Sequence, residues 1–234
     1  MRISLSGCAL LAGLALSLPV AAQQACGDVF SSGGIGPFDY RDYRNKRMLR
    51  TVEKHHFLKH REGRMAISGA SDLEYSKAKG KSAGLGNNLD YTLRAFPNHT
   101  HALYAMAMFQ MKRGTGPNYK TIECYFERAN KFVPDDPGVK HIRGIYYHRR
   151  GEYANAVKWL DAALEIAPNN GELAYNAGLA HLELKDYDRA LELAHEAIRL
   201  GYTLSGLKRR LTSVGIWRDP EPAAMGSEVA SGTP

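Results

Sequence analysis

The 234-residue sequence holds little of what catalytic sites are usually built from. It has no Gly-x-Ser-x-Gly elbow, which removes that serine-nucleophile arrangement. The glycines around Gly84 and Gly86 have neither the flanking strand nor the Lys and Ser or Thr spacing of a phosphate loop. Acidic residues are outnumbered, 24 against 31 Lys and Arg, for a formal charge of +7. The excess cations are scattered over Arg44 to Arg50, Lys77 to Lys81 and Lys208 to Arg210, and aromatics do not interleave with them. That pattern reads as a solvated face, not a nucleic-acid platform, with at most weak attraction to anionic wall polymers or lipid head groups. No cofactor is implied.

Long apolar runs are also missing, apart from Cys8 to Leu18. A transmembrane helix takes about 20 apolar residues, so this run is too short to span a bilayer. Arg2 before it, Pro19 after it and the small residues Val20-Ala21-Ala22 make 1–22 a secretory signal peptide with cleavage near Ala22. The expectation is a soluble periplasmic or secreted protein with no transmembrane segment. Leu5-Ser6-Gly7-Cys8 has the composition of a lipobox and Cys26 follows the signal closely, which leaves a lipid anchor open, although Gln23-Gln24 suits such a site poorly.

What is present begins with a 34-residue self-similarity. Pro137 onward and Gly171 onward align without a gap: Gly144 with Gly178, Tyr153 with Tyr187, Ala156 with Ala190 and Ala163 with Ala197. Such a period argues for stacked helical hairpins, because one hairpin cannot bury its own apolar faces. Counting from Pro137, small residues fall at places 8 and 20, Tyr147, Leu160 and Ala163 at places 11, 24 and 27, and Pro168 at place 32. The pattern resembles the tetratricopeptide repeat family. Three units follow, at 100–136 (with three extra residues between Gly114 and Tyr119), 137–170 and 171–202, and a degenerate half-unit at 88–99 precedes them. In the middle unit Lys140 and Arg143 stand at places the family fills with apolar residues, and Val139 and Ile142 are expected to rotate inward instead.

The rest is read from composition and period. Residues 23–67 form an N-terminal arm with a helix from about Asn45 to Arg64, which covers the first hairpin as solenoid ends require. The Ser, Lys and Gly-rich stretch 68–87 reads as a flexible linker or long loop. Residues 203–217 hold a capping helix with Leu204, Leu207, Leu211 and Val214 on one face, and 218–234 a disordered tail. The fold class is all-α: an α-solenoid of about three hairpins with a cap helix and a less regular N-terminal extension.

After signal removal two cysteines remain. Cys124 is at place 22 of its repeat, two residues from the inward Ile122 and Phe126, so it faces away from the hairpin core. A Cys26–Cys124 disulfide is expected in an oxidising compartment, with two free thiols as the alternative. His55, His56 and His60 are a weak metal candidate, with Glu53 or Glu62 as an oxygen ligand, but Phe57 stands where a zinc protease needs Glu. A metal-binding protein or metal-dependent enzyme using these histidines is the alternative function.

The resemblance implies a concave groove lined from places 5, 9 and 12 of each unit: Tyr104, Met108 and Met111; His141, Ile145 and His148; Tyr175, Leu179 and Leu182. An apolar and aromatic strip suits an apolar peptide or an amphipathic helix. It equally suits the protein's own arm or cap helix. Tyr104 and Met108 replace the Lys and Asn with which family members hold a C-terminal carboxylate. The implied function is a non-catalytic interaction module or assembly scaffold of a bacterial cell envelope, with a protein or peptide partner.

Overall fold

A computed structural model describes residues 26–30, 35–57 and 82–220. Among them are nine α-helices and no strand. Helix α1 (Lys46–Val52) is preceded by a 3-10 turn, Tyr43–Asn45, and followed by a π turn, Glu53–Phe57. Helix α2 is Ser82–Ala95. Three antiparallel pairs follow: α3 (Thr100–Arg113) with α4 (Ile122–Phe132), α5 (Pro137–Arg149) with α6 (Tyr153–Ile166), and α7 (Gly171–Glu183) with α8 (Tyr187–Arg199). Helix α9 (Gly206–Ser213) closes the stack. Each helix packs mainly on its sequence neighbours and on the matching helix of the adjoining pair, as a solenoid requires. The predicted signal peptide (1–22) and the tail beyond Pro220 lie outside the described residues.

The helix starts are set by side chains that accept from first-turn amides: Thr121 for α4, Asp136 with Pro137 at the first position for α5, and Asn170 for α7. The small residues of the period act where expected. A Cβ on Gly144 would come within 2.5 Å of Leu160 Cγ, and one on Gly178 within 2.5 Å of Leu207 Cδ2. Pairs α5–α6 and α7–α8–α9 close together because those two positions carry no side chain.

Three expectations change. The linker ends earlier than 87: residues from Ser82 onward are helical, and Leu85, Leu89 and Leu93 of α2 pack on Leu103, Met106 and Phe126. Gly86 serves close approach, since the Tyr119 ring occupies the space of its missing side chain. In the middle unit Val139 is buried, yet Arg143 is buried too. Its guanidinium carbon sits 3.9 Å from the Trp159 ring centre and its Nη2 is 2.7 Å from Glu127 Oε1, so stacking and an ion pair accommodate the cation. In the cap, Leu207 and Leu211 are fully buried while Leu204 and Val214 are exposed, because the helix starts only at Gly206 and ends at Ser213.

The N-terminal arm covers the first hairpin from two sides. Val52, Phe38 and Tyr40 pack with Ala95 and Phe96, and Phe57 joins the core of Leu89, Leu93 and Leu103. Asn98, fully buried, accepts from the Tyr40 amide and donates to Asp39 and Asp136, while Arg41 reaches Asp136 at 3.4 Å. Further upstream, Arg128 Nη1 donates to the carbonyls of Cys26, Gly27 and Asp28, and Cys26 meets Cys124 with Cα atoms 5.1 Å apart, within disulfide reach.

Candidate ligand-binding groove

Helices α3, α5 and α7 run parallel, because each is followed by an antiparallel partner that returns the chain. Their shared face forms an open cavity of about 720 Å³. Its middle is apolar, from Tyr104, Ile142, Ile145, Tyr175 and Leu179, with Tyr202 and Leu204 walling the far side. Tyr175 and Tyr202 meet with ring centres 5.0 Å apart. The helix N-termini bring His101, His141, Glu172 and Asn176 to one end, and the C-terminal end of α5 brings His148 and Arg149 to the other.

Six of the nine residues expected from the sequence line this cavity: Tyr104, His141, Ile145, His148, Tyr175 and Leu179. Met108 is instead buried in the cluster that Phe57, Leu89 and Leu93 complete, and Leu182 is buried against Leu207 and Leu211. Met111 is exposed but lies off the cavity wall. The arm and the cap helix therefore each take one end of the strip, and no described residue of the arm lines what is left between them. Sequence reasoning missed His101, Glu172, Asn176, Arg149 and Tyr202. Tyr202, at the place of the missing closing Pro, carried a signal that could have drawn attention to it.

His141 Nε2 sits 2.9 Å from Asn176 Nδ2, which donates to it when the ring is neutral. Burial holds the His141 pKa below its ordinary value, partly opposed by the Glu172 carboxylate. Burial likewise lowers His148, against the Glu183 carboxylate, and its Nε2 has no hydrogen-bond partner among the described residues. Both shifts favour the neutral imidazole at pH 7.

The two described histidines of the arm's cluster have different surroundings. His55 is exposed, while His56 stacks on Tyr91 with centres 3.9 Å apart and lies 3.2 Å from Asn88 Oδ1. His60 falls outside the described residues. Among the described residues no three His, Cys, Asp or Glu side chains are grouped to hold a metal ion.

Stacked antiparallel pairs, close-contact glycines and a concave face of first helices together decide the architecture. The fold is a tetratricopeptide-repeat solenoid. A tetratricopeptide repeat model matches residues 137–170, the α5–α6 pair. The chain is 32% identical over 104 residues to the human Cell division cycle protein 16 homolog, covering 41% of this chain and 17% of that protein. It is 29% identical over 77 residues to the Hsp70-Hsp90 organising protein of Plasmodium falciparum (32% and 14%). It is also 29% identical over 79 residues to BBSome complex member BBS4 of Xenopus tropicalis (34% and 15%). The similarity thus spans about a sixth of each relative, the extent of a repeat array. Among the described residues no helix is long and apolar enough to cross a membrane.

Proposed function

We propose that this tetratricopeptide-repeat protein is a non-catalytic interaction module of the cell envelope, exported by cleavage near Ala22, which holds an apolar peptide segment of a protein partner in the groove. The repeats themselves suggest a protein partner. The observation that carries the finer reading is the open cavity between the two covered ends, apolar in the middle and polar at its rims. A pocket of that kind buries a few side chains while a few convergent polar groups fix their orientation. Relatives named as a complex member and as an organising protein support an assembly role. In this reading a Cys26–Cys124 disulfide fastens the arm outside the groove and keeps the groove free.

Affinity capture from a native envelope extract tests it, comparing the mature protein with a His141→Ala, Tyr175→Ala double variant of unchanged helical content. The expected result is one partner retained by the first and lost by the second, with direct binding of the purified partner showing the same loss. Equal retention by both would move the working surface off the groove.

A further inference from the structure

The groove is electrically two-ended. Glu172 is the sole carboxylate and Arg149 the sole guanidinium in its lining, and each is exposed and ion-paired to no other described residue. Glu172 is the second residue of α7 and Arg149 the last of α5, so they stand about 16 Å apart along the common helix direction at 1.5 Å per residue. Around Glu172 the rim is completed by His101, His141 and Asn176, and around Arg149 by His148, with Tyr104 beneath the guanidinium at 5.9 Å. Between them the wall is Tyr, Ile and Leu.

Resting on the groove reading above, we infer that the occupant is an extended segment of mixed charge, with a cationic side chain beside Glu172, about four residues against the apolar middle and an anionic side chain beside Arg149. The spacing sets the length, since an extended chain advances about 3.3 Å per residue. The two charges act chiefly on selection. A like charge at either end is left facing its own sign, while the apolar contacts stay the same.

The test uses four fluorescein-labelled hexapeptides that share one four-residue apolar core and differ only in the flanking pair: Lys and Glu, Gln and Gln, Lys and Lys, or Glu and Glu. Fluorescence anisotropy with the full mature protein should rank the mixed pair first, with Gln and Gln and the two like-charged pairs close together below it, because a like-charged pair gains at one end what it loses at the other. Each charge contributes about two- to fivefold, and the differences shrink in high salt. Glu172→Lys should transfer the preference to the Glu and Glu peptide, and Arg149→Glu to the Lys and Lys peptide. Equal binding of all four peptides, weakened alike by Tyr175→Ala, would overturn the charge assignment and leave the groove reading intact. No binding of any peptide would overturn both.

Discussion

Gly144 and Gly84 carry the same residue type in two helices with opposite surroundings. At Gly144 a methyl group would strike Leu160, which branches at the atom it would meet, while at Gly84 no atom of the described residues lies within 4 Å. Replacing glycine by alanine in a helix gains about 0.5–1 kcal/mol of conformational entropy, and forcing an extra carbon into a packed contact costs about 1–3 kcal/mol. Gly144→Ala should therefore lose about 1 to 2 kcal/mol in urea unfolding, and Gly84→Ala should gain up to about 1 kcal/mol. Matching signs for the two would refute the packing account. At this scale the repeat period was a reliable guide to the glycines and alanines, whose role depends only on the local approach of two helices. It was a poor guide to Met108 and Leu182, because what buries them comes from Phe57, Leu89, Leu207 and Leu211, which lie in other units.

Among the elements, the arm segment at Cys26 to Phe30 and helix α4 depend on each other. Arg128 is buried with its Nε unpartnered among the described residues, and its Nη1 is satisfied by three carbonyls of the arm. Without that segment the guanidinium would lose those acceptors. Val29 is fully buried at the same place, and the Phe30 and Phe132 rings stand 6.0 Å apart. A cross-link closing the 98-residue separation would stabilise the fold by up to about 4 kcal/mol in the chain-entropy view. Non-reducing peptide mapping of exported protein should recover Cys26 joined to Cys124, and Cys26→Ser should lower the unfolding midpoint to that of the reduced wild type. Recovery of two alkylated thiols from native material would rule the link out. The outward direction of Cys124 was legible from its repeat place, whereas the start of α2 was not. Ser82-Ala-Gly-Leu-Gly has weak helix propensity, and the helix forms there because Leu85, Leu89 and Leu93 find a core to enter.

For the whole molecule, four histidines packed among the helices shift in one of two directions. Burial lowers His99, His141 and His148, each against a nearby carboxylate: Glu53, Glu172 and Glu183. The unfolded chain takes up their protons first, so the stability they allow is present above about pH 6.5 and is lost as pH falls below it. His181 moves the other way, raised by Asp161, against burial, with Asp186 adding 2.8 Å from its Nδ1. Its contribution is complete below about pH 6.5 and disappears as pH rises through the raised value. Urea midpoints should therefore fall on the acid side of neutrality, and His181→Gln should flatten the alkaline side while leaving the acid loss in place. A midpoint constant from pH 5 to 6.5 would contradict this assignment. Binding in the groove should hold steady from about pH 7 to 8, where the lowered pKa of His141 and His148 favours the neutral ring. None of these directions could be read from the sequence, because a histidine's shift is set by burial and by partners drawn from other helices.

The arm also has a bearing on when, and not only where, the chain becomes ordered. Its contacts run from Cys26 to Cys124, from Asp39 to Asn98 and from Arg41 to Asp136. A polypeptide delivered amino end first presents this stretch before any of those seats has emerged. Cys26 must wait, unpaired, until Cys124, 98 residues further on, has followed, and throughout that interval it is available to whatever thiol chemistry surrounds it.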